Sequence, residues 1–361
     1  MKNKIVNKVF ILILSLLIIA YCIVLCSDAV SVKVGIDEAV NRCLNVIIPS
    51  LFAFMAVSQF IVSSGIYIII SKPFYFLSKY VMGIPPQLFF VFLMGSLAGY
   101  PIGVKLLSDM VNNEKIDKRT AEIMSAFCYC GGPAFYSGTI GLAIFSSVKI
   151  GMLVFLSIII SNFLSCIFIS HIAKPKLLKS DDKINISSQL FTNSIVSAGK
   201  SLFTICIMIV FFSTIMSTLD SFHIFSNIQQ LTDCSSNTVV LVKSALEITS
   251  LTQITGHPYN LLPYITAICS FGGVCVLLQV AALNKNSFSL KAFFVARIPC
   301  AMLSGVICRL LEKYFIPSSV EALSVSNKVF VKVNNFIPSI CLILMILLLN
   351  YKKRLVISKT V

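Results

Sequence analysis

Apolar runs long enough to cross a bilayer recur from one end of this chain to the other, and that recurrence fixes the solvent in which it folds. Of its 361 residues, 57% are hydrophobic and only 12% are charged. The fold class this implies is an all-α polytopic membrane protein. Inside a bilayer every backbone polar group needs a partner, so irregular backbone survives there only when buried in protein or lining a cavity. One stretch departs from the helical pattern in that way. From Gly95 to Gly141 the chain reads GSLAGYPIGVKLL, a charged segment, then SAFCYCGGPAFYSGTIG, with glycine, proline, hydroxyls and a lysine among greasy helices.

The formal charge of +15 would suggest nucleic acid in a soluble domain. Here the lysines sit mainly between apolar segments, where membrane topology accounts for them, and no nucleic-acid partner is expected. The 13 cysteines give no metal or disulfide framework, because Cys22, Cys26, Cys166, Cys206, Cys300, Cys308 and Cys341 lie within apolar runs. Buried cysteine behaves there as a small hydrophobe. Cys128 and Cys130 with Cys269 and Cys275 form no ordered C-x-x-C pair, so no metal site is expected.

Taken in order, Val9 to Cys26 reads as an uncleaved first helix behind Lys2, Lys4 and Lys8, with its N-terminus on the inner side. A polar loop with Lys33, Asp37, Glu38 and Arg42 then leads into a span from Cys43 to Val62. Leu88 to Gly103 is barely long enough to cross and is broken by Gly95, Gly99, Pro101 and Gly103. Ile123 to Phe145 is broken by Gly131, Gly132 and Pro133, and Gly151 to Ser170 is an uninterrupted span. Residues 171–195 form a lysine- and serine-rich linker dividing the protein into repeats at 43–170 and 196–312, with 1–42 before them and a helix and basic tail at 313–361. The second repeat carries a span from Ser201 to Leu219, a loop from Asp220 to Asn237, a short segment ending in LEITSLTQITGHP, Leu262 to Leu283 with CSFGG in its middle, and Phe293 to Leu311.

The halves echo each other. SLF opens a helix at Ser50 and again at Ser201, and Cys128-x-x-Gly131-Gly132 returns as Cys269-x-x-Gly272-Gly273. Paired, Gly-interrupted segments in corresponding positions point to an inverted-topology repeat with its site near the midplane. Treating Leu88 to Gly103 and Thr238 to Leu251 as re-entrant keeps most lysines and arginines, both termini and the linker on the inner, cytoplasmic side, in about eight spans.

A helix that stops inside the membrane exposes partial positive charge at its N–H end and partial negative charge at its C=O end. The candidate substrate site therefore gathers Gly99, Tyr100, Pro101, Gly103, Gly131, Gly132, Pro133, Ser137, Thr139, Thr249, Ser270, Gly272 and Gly273 from the broken segments. The same glycines would also permit tight helix packing. Lys105 would attract an anion there or snorkel to the interface. Glu247, in a mostly apolar segment, would bind a cation, carry a proton or pair with Lys243. Gln279 lies about two turns beyond Gly272, hence on a similar face. His257, beside Pro258, reads as a loop residue. No HExxH, Walker loop or GxSxG occurs, so neither an enzyme nor a cofactor is expected, while a coupling proton or sodium ion stays open.

The ordered motifs GSLAGYPIGVKLL, FCYCGGPAFYSGTIG, LEITSLTQITG and SFGGVCVLLQVAA resemble those of the sporulation integral membrane proteins of the YlbJ type, built on nucleoside-recognition or Gate domains. The resemblance covers roughly residues 40 to 312. It departs from the family's pattern near the Gly-Pro turn, where asparagine is common and this chain has Tyr129, Cys130 and Gly131. What the resemblance implies is a role in endospore formation, moving a small anion, dipicolinate, across a forespore membrane, the outer one being favoured. A nucleoside or other metabolite is the alternative substrate. A non-transporting scaffold for spore envelope assembly is the rival role, with a second copy or other sporulation membrane proteins as partners.

Overall fold

The computed structural model describes residues 11–178, apart from 14, 17, 20, 24 and 27, and residues 184–315. The expected closing helix at Ile337 to Tyr351, the basic N-terminal lysines and part of the linker lie outside them. Among the described residues five helices are long and apolar enough to span a bilayer: α1 (Ala29–Ser64), α6 (Val148–Ala173), α7 (Ser188–Ser221), a broken helix at Tyr259–Asn284 and α12 (Lys291–Phe315). Shorter helices lie between them: α2 (Pro86–Leu97), α3 (Ile102–Asn112), α4 (Lys118–Ser125), α5 (Pro133–Phe145), α8 (Ile224–Thr232) and α9 (Ser236–Leu246). The protein is an all-α polytopic membrane protein.

The spans are built inside out. On α12 Val295, Ile298, Met302, Val306 and Leu310 are exposed at helical spacing, while Cys300, Ala301, Ser304 and Gly305 are buried. Lipid is as apolar as these outward side chains, so small and polar residues hold the helices together instead. Thus Ser161 Oγ of α6 donates to the Cys300 carbonyl of α12 at 2.9 Å, and Ser213 Oγ of α7 donates to the Gly35 carbonyl of α1 at 2.8 Å. The two first spans, α1 and α7, pack along each other, as do the two last spans, α6 and α12.

Several boundaries differ from those the sequence suggests. The polar segment with Lys33, Asp37, Glu38 and Arg42 is not a loop. Asp28 caps it by accepting the Ser31 amide at 3.3 Å, and it continues as helix into Ser64. Cys43–Ile47 adopts π-helical turns just ahead of Pro49, whose missing N–H would leave an α-helical ladder with a gap there. The second-half span starts at Ser188 because Ser187 accepts the Leu190 amide at 3.2 Å. The expected loop between Asp220 and Asn237 contains α8. The expected repeat limits at 42/43, 195/196 and 312/313 therefore fall inside α1, α7 and α12.

The interruptions occur at the glycines. α2 ends at Leu97 and α3 starts after Gly99, which has φ +93°. α4 unwinds through 126–132 before α5. The broken helix of the second half divides at Gly272, φ +89°, into α10 (Leu262–Phe271) and α11 (Gly273–Asn284). At Gly103 the reason for glycine is proximity. A Cβ there would collide with the Cys128 carbonyl, and one at Gly95 would lie 2.8 Å from the same oxygen. These two glycines let α2 and α3 close on the unwound segment rather than open towards a ligand. Gly103→Ala is expected to lower stability by about 1–3 kcal/mol through overpacking. Gly199→Ala, whose Cβ would meet nothing within 4 Å, is expected to leave it unchanged or raise it. Thermal unfolding of the two detergent-purified variants checks the difference.

Candidate functional site

The two Gly-Gly breaks leave helix-end carbonyls without intrahelical donors, and inside a membrane protein such groups need a partner. At the end of α10 the Gly272 amide returns to the Ile268 carbonyl at 2.8 Å. The Cys269 and Phe271 carbonyls are instead capped from the other half. Tyr100 Oη donates to Cys269 O, and Tyr129 Oη donates to Phe271 O at 3.2 Å. Tyr100 Oη also lies 2.8 Å from Tyr136 Oη, which accepts the Gly131 amide at 2.9 Å. One hydrogen-bonded chain therefore links the GYP break, the first Gly-Gly break and the end of α10.

The first half receives a cap in return. Arg297 of α12 is 1% exposed and donates from Nη2 to the Ala126 carbonyl at the C-terminus of α4, where a cation complements the helix dipole. Its guanidinium carbon lies 4.7 Å from the Tyr129 ring centroid and 5.0 Å from that of Phe293. Such cation–π contacts offset part of the cost of desolvating the charge. Asn162 of α6 adds a bond from Nδ2 to the Tyr129 carbonyl at 2.8 Å.

A cavity of about 410 Å³ opens where the breaks converge, a size usual for small-ligand sites. Its wall includes Asn45, Ser50 and Phe54 of α1, Tyr100, the Gly131–Pro133 turn with the start of α5, Glu247 with Thr249, and Gln279 of α11. Of the residues expected from sequence it brings together Tyr100, Gly131, Gly132, Pro133, Glu247, Thr249 and Gln279. A larger hollow of about 590 Å³, with Lys72, Lys79 and Gln87 in its wall, is more open and lies away from the breaks.

The other expected residues sit elsewhere. Lys105 is buried, pairs with the half-buried Asp109 one turn on and does not line the cavity. Burial pushes the Asp109 carboxyl above its ordinary value, and Lys105 pulls it partly back. Gly99, Pro101 and Gly103 form the turn behind Tyr100. Ser137 bonds its own helix at the Pro133 carbonyl, 2.8 Å, and Thr139 is half-buried off the wall. Ser270, Gly272 and Gly273 belong to the break itself, where the Ser270 hydroxyl is buried with no hydrogen-bond partner. His257 Nδ1 binds the Ile144 carbonyl at 2.6 Å, tying a loop to the end of α5. Among the described residues no group of three or more His, Cys, Asp or Glu is placed to hold a metal ion.

Glu247 does not pair with Lys243, which reaches Asp220 at 2.6 Å. Its partner is Arg42 of α1, with Nη1 3.5 Å from Glu247 Oε2. The same Nη1 donates to Thr249 Oγ1, whose hydroxyl donates to Glu247, and the Thr249 amide donates to Glu247 Oε1 at 3.2 Å. The carboxylate is thus the N-cap of the turn Ile248–Gln253 as well as the partner of a cation from the other half. Sequence reasoning missed Arg42, Asn45 and Arg297. The rule that singled out Glu247, a charge in an apolar run, applies equally to Arg297.

The chain is similar to the sporulation integral membrane protein YlbJ of Bacillus subtilis (strain 168), at 23% identity over 351 aligned residues covering 83% of each chain. That similarity supports a YlbJ-type family for the chain. No family model and no solved structure matches it. In this relative of the YlbJ type the tyrosine caps carry a direct expectation. Tyr129→Phe leaves the Phe271 carbonyl unpaired and should cost about 1–3 kcal/mol. Removing both hydroxyls, with Tyr100→Phe, should cost more than either alone, as thermal unfolding in detergent would record.

Proposed function

We propose that this chain is a transporter of endospore formation, carrying a small anion, dipicolinate, across a forespore membrane. The observation that supports this best is the cavity itself, at the meeting point of broken segments from both halves. The first turn of α5 lies in its wall and presents amide groups with no intrahelical acceptor, which favours negative charge. Arg42 stands beside it through Glu247 and Thr249. Dipicolinate is a flat ring flanked by two carboxylates. The ring faces of Phe54, Tyr100 and Phe135 and the amides of Asn45 and Gln279 suit such a solute, and the volume admits it.

The transport cycle in this reading uses an inverted repeat. Its support is the pairing of like with like, α1 with α7 and α6 with α12, together with crossed contacts between the halves. α3 of the first half packs on α11 of the second, and Ile248–Gln253 of the second packs on the π-helical Tyr136–Leu142 of the first. Two halves that exchange contacts in this way can rock about the site and expose it to each side in turn.

The full-length protein in liposomes tests the proposal. Dipicolinate flux should exceed that of empty vesicles, and Ala134→Trp should cut it at least tenfold. Ala134 is exposed on the cavity wall, so a large side chain there fills the cavity without disturbing the core. No flux of dipicolinate or of a nucleoside, with a partner protein co-purifying, would support the scaffold role instead.

A further inference from the structure

Among the described residues only Nη1 of Arg42 finds acceptors, and both belong to Glu247 and Thr249. Arginine offers five N–H donors in a planar fork that matches a carboxylate in two-point contact. The rest of this fork is unused. The side chain is 30% exposed, against 6% for that of Glu247, so the cation is the more exposed member of the pair, and it stands beside the cavity whose wall Glu247 and Thr249 form. Arg42 is thereby an unsaturated carboxylate site, held in place from one edge by an internal carboxylate.

One guanidinium neutralises one carboxylate. When a second arrives on its free edge, Glu247 becomes a surplus negative charge in a nearly closed site, and like charges sharing a site raise the proton affinity of one of them. Among the described residues, the groups facing Glu247 offer no further compensation. Arg42 comes from α1, the Cys275 thiol from α11, Thr249 from its own turn, and Lys243 on its own helix is turned away to Asp220 of α7.

We propose that Arg42, backed by Thr249, is the carboxylate-binding residue of the cavity, and that Glu247 takes up a proton when the solute's carboxylate binds, so that anion and proton travel together. This deepens the reading of the cavity as an anion-transport site and rests on it. In atom terms the step is a single proton transfer from water to a Glu247 carboxylate oxygen, with no covalent bond to the solute. Reciprocity follows: if binding takes up a proton, lower pH must strengthen binding, by as much as tenfold per pH unit for one proton.

The test measures dipicolinate binding to the full-length, detergent-purified protein by titration calorimetry. It is run between about pH 6 and pH 8, above the ordinary carboxylate range, in two buffers of different ionisation enthalpy. Wild type should take up close to one proton per dipicolinate and bind more tightly at the lower pH. Glu247→Gln, which keeps the shape and removes the charge, should take up none and bind at the higher pH about as tightly as wild type does at the lower. Arg42→Gln should weaken binding at least tenfold at both. Dipicolinate binding with no proton uptake by wild type, or a Glu247→Gln pH profile equal to that of wild type, overturns the proton coupling while leaving the anion site standing. The wild-type proton count needs no variant, so a variant that fails to fold does not remove the test. If neither wild type nor Glu247→Gln binds dipicolinate at either pH, the coupling and the anion-transport reading fall together.

Discussion

Helix ends inside a membrane protein leave carbonyls that neither water nor the helix itself can satisfy, and the arrangement of this protein follows from how those ends are capped. The carbonyls ending α10 receive hydroxyls from Tyr100 and Tyr129, and the carbonyl ending α4 receives the guanidinium of Arg297. Each cap crosses from one half to the other. Unpaired, such groups would cost several kcal/mol in an apolar medium. The breaks are therefore tolerable only while the halves are joined, and joining the halves is what places the breaks side by side.

The cavity is the by-product of that arrangement. Turning the backbone at Gly132 and Gly272 takes both helices away from the space they would have filled. The tyrosine chain fixes how far apart they stand. A Cβ on Gly272 would overlap the Tyr129 hydroxyl, so the residue that permits the break also admits its cap. Charge then enters from the flank. Arg42 arrives on α1, which is long enough to carry it there because its N-terminal turns are helical and its ladder is relaxed by π-helical turns ahead of Pro49. In this reading the site is polar on one side, where Arg42, Glu247, Thr249 and Gln279 lie, and aromatic on the other.

Much of this was legible in the sequence. Gly131-Gly132 and Gly272-Gly273 announce the interruptions because no other residue type punctuates an apolar run so sharply, and Glu247 announces itself as a charge where charge is expensive. The unusual backbone of 95–141 is legible as an interruption of helix, and the structure breaks there at Gly99 and Gly132. What pattern could not show was partnership. Lys105 reads as either an anion's cation or a snorkelling lysine, and a carboxylate one helical turn away at Asp109 occupies it. Lys243 is one of the partners the sequence offers Glu247, at the same spacing, but side-chain direction sends it to Asp220. Arg42 looked like loop because four charges within ten residues resemble a solvated turn, and only the cap at Asp28 and the contact with α7 make that segment helix. Arg297 lies inside the apolar run from Phe293 to Leu311, and helical phase alone does not say that its guanidinium stacks inward on two rings.

A structure determined with dipicolinate bound tests the central claim most directly. The account predicts ligand density in the cavity between Gly132, Pro133, Glu247 and Gln279, with one carboxylate within hydrogen-bonding distance of Arg42 and the tyrosine chain from Gly131 to Cys269 intact. Density seated outside this cavity while the cavity itself stays empty would contradict it.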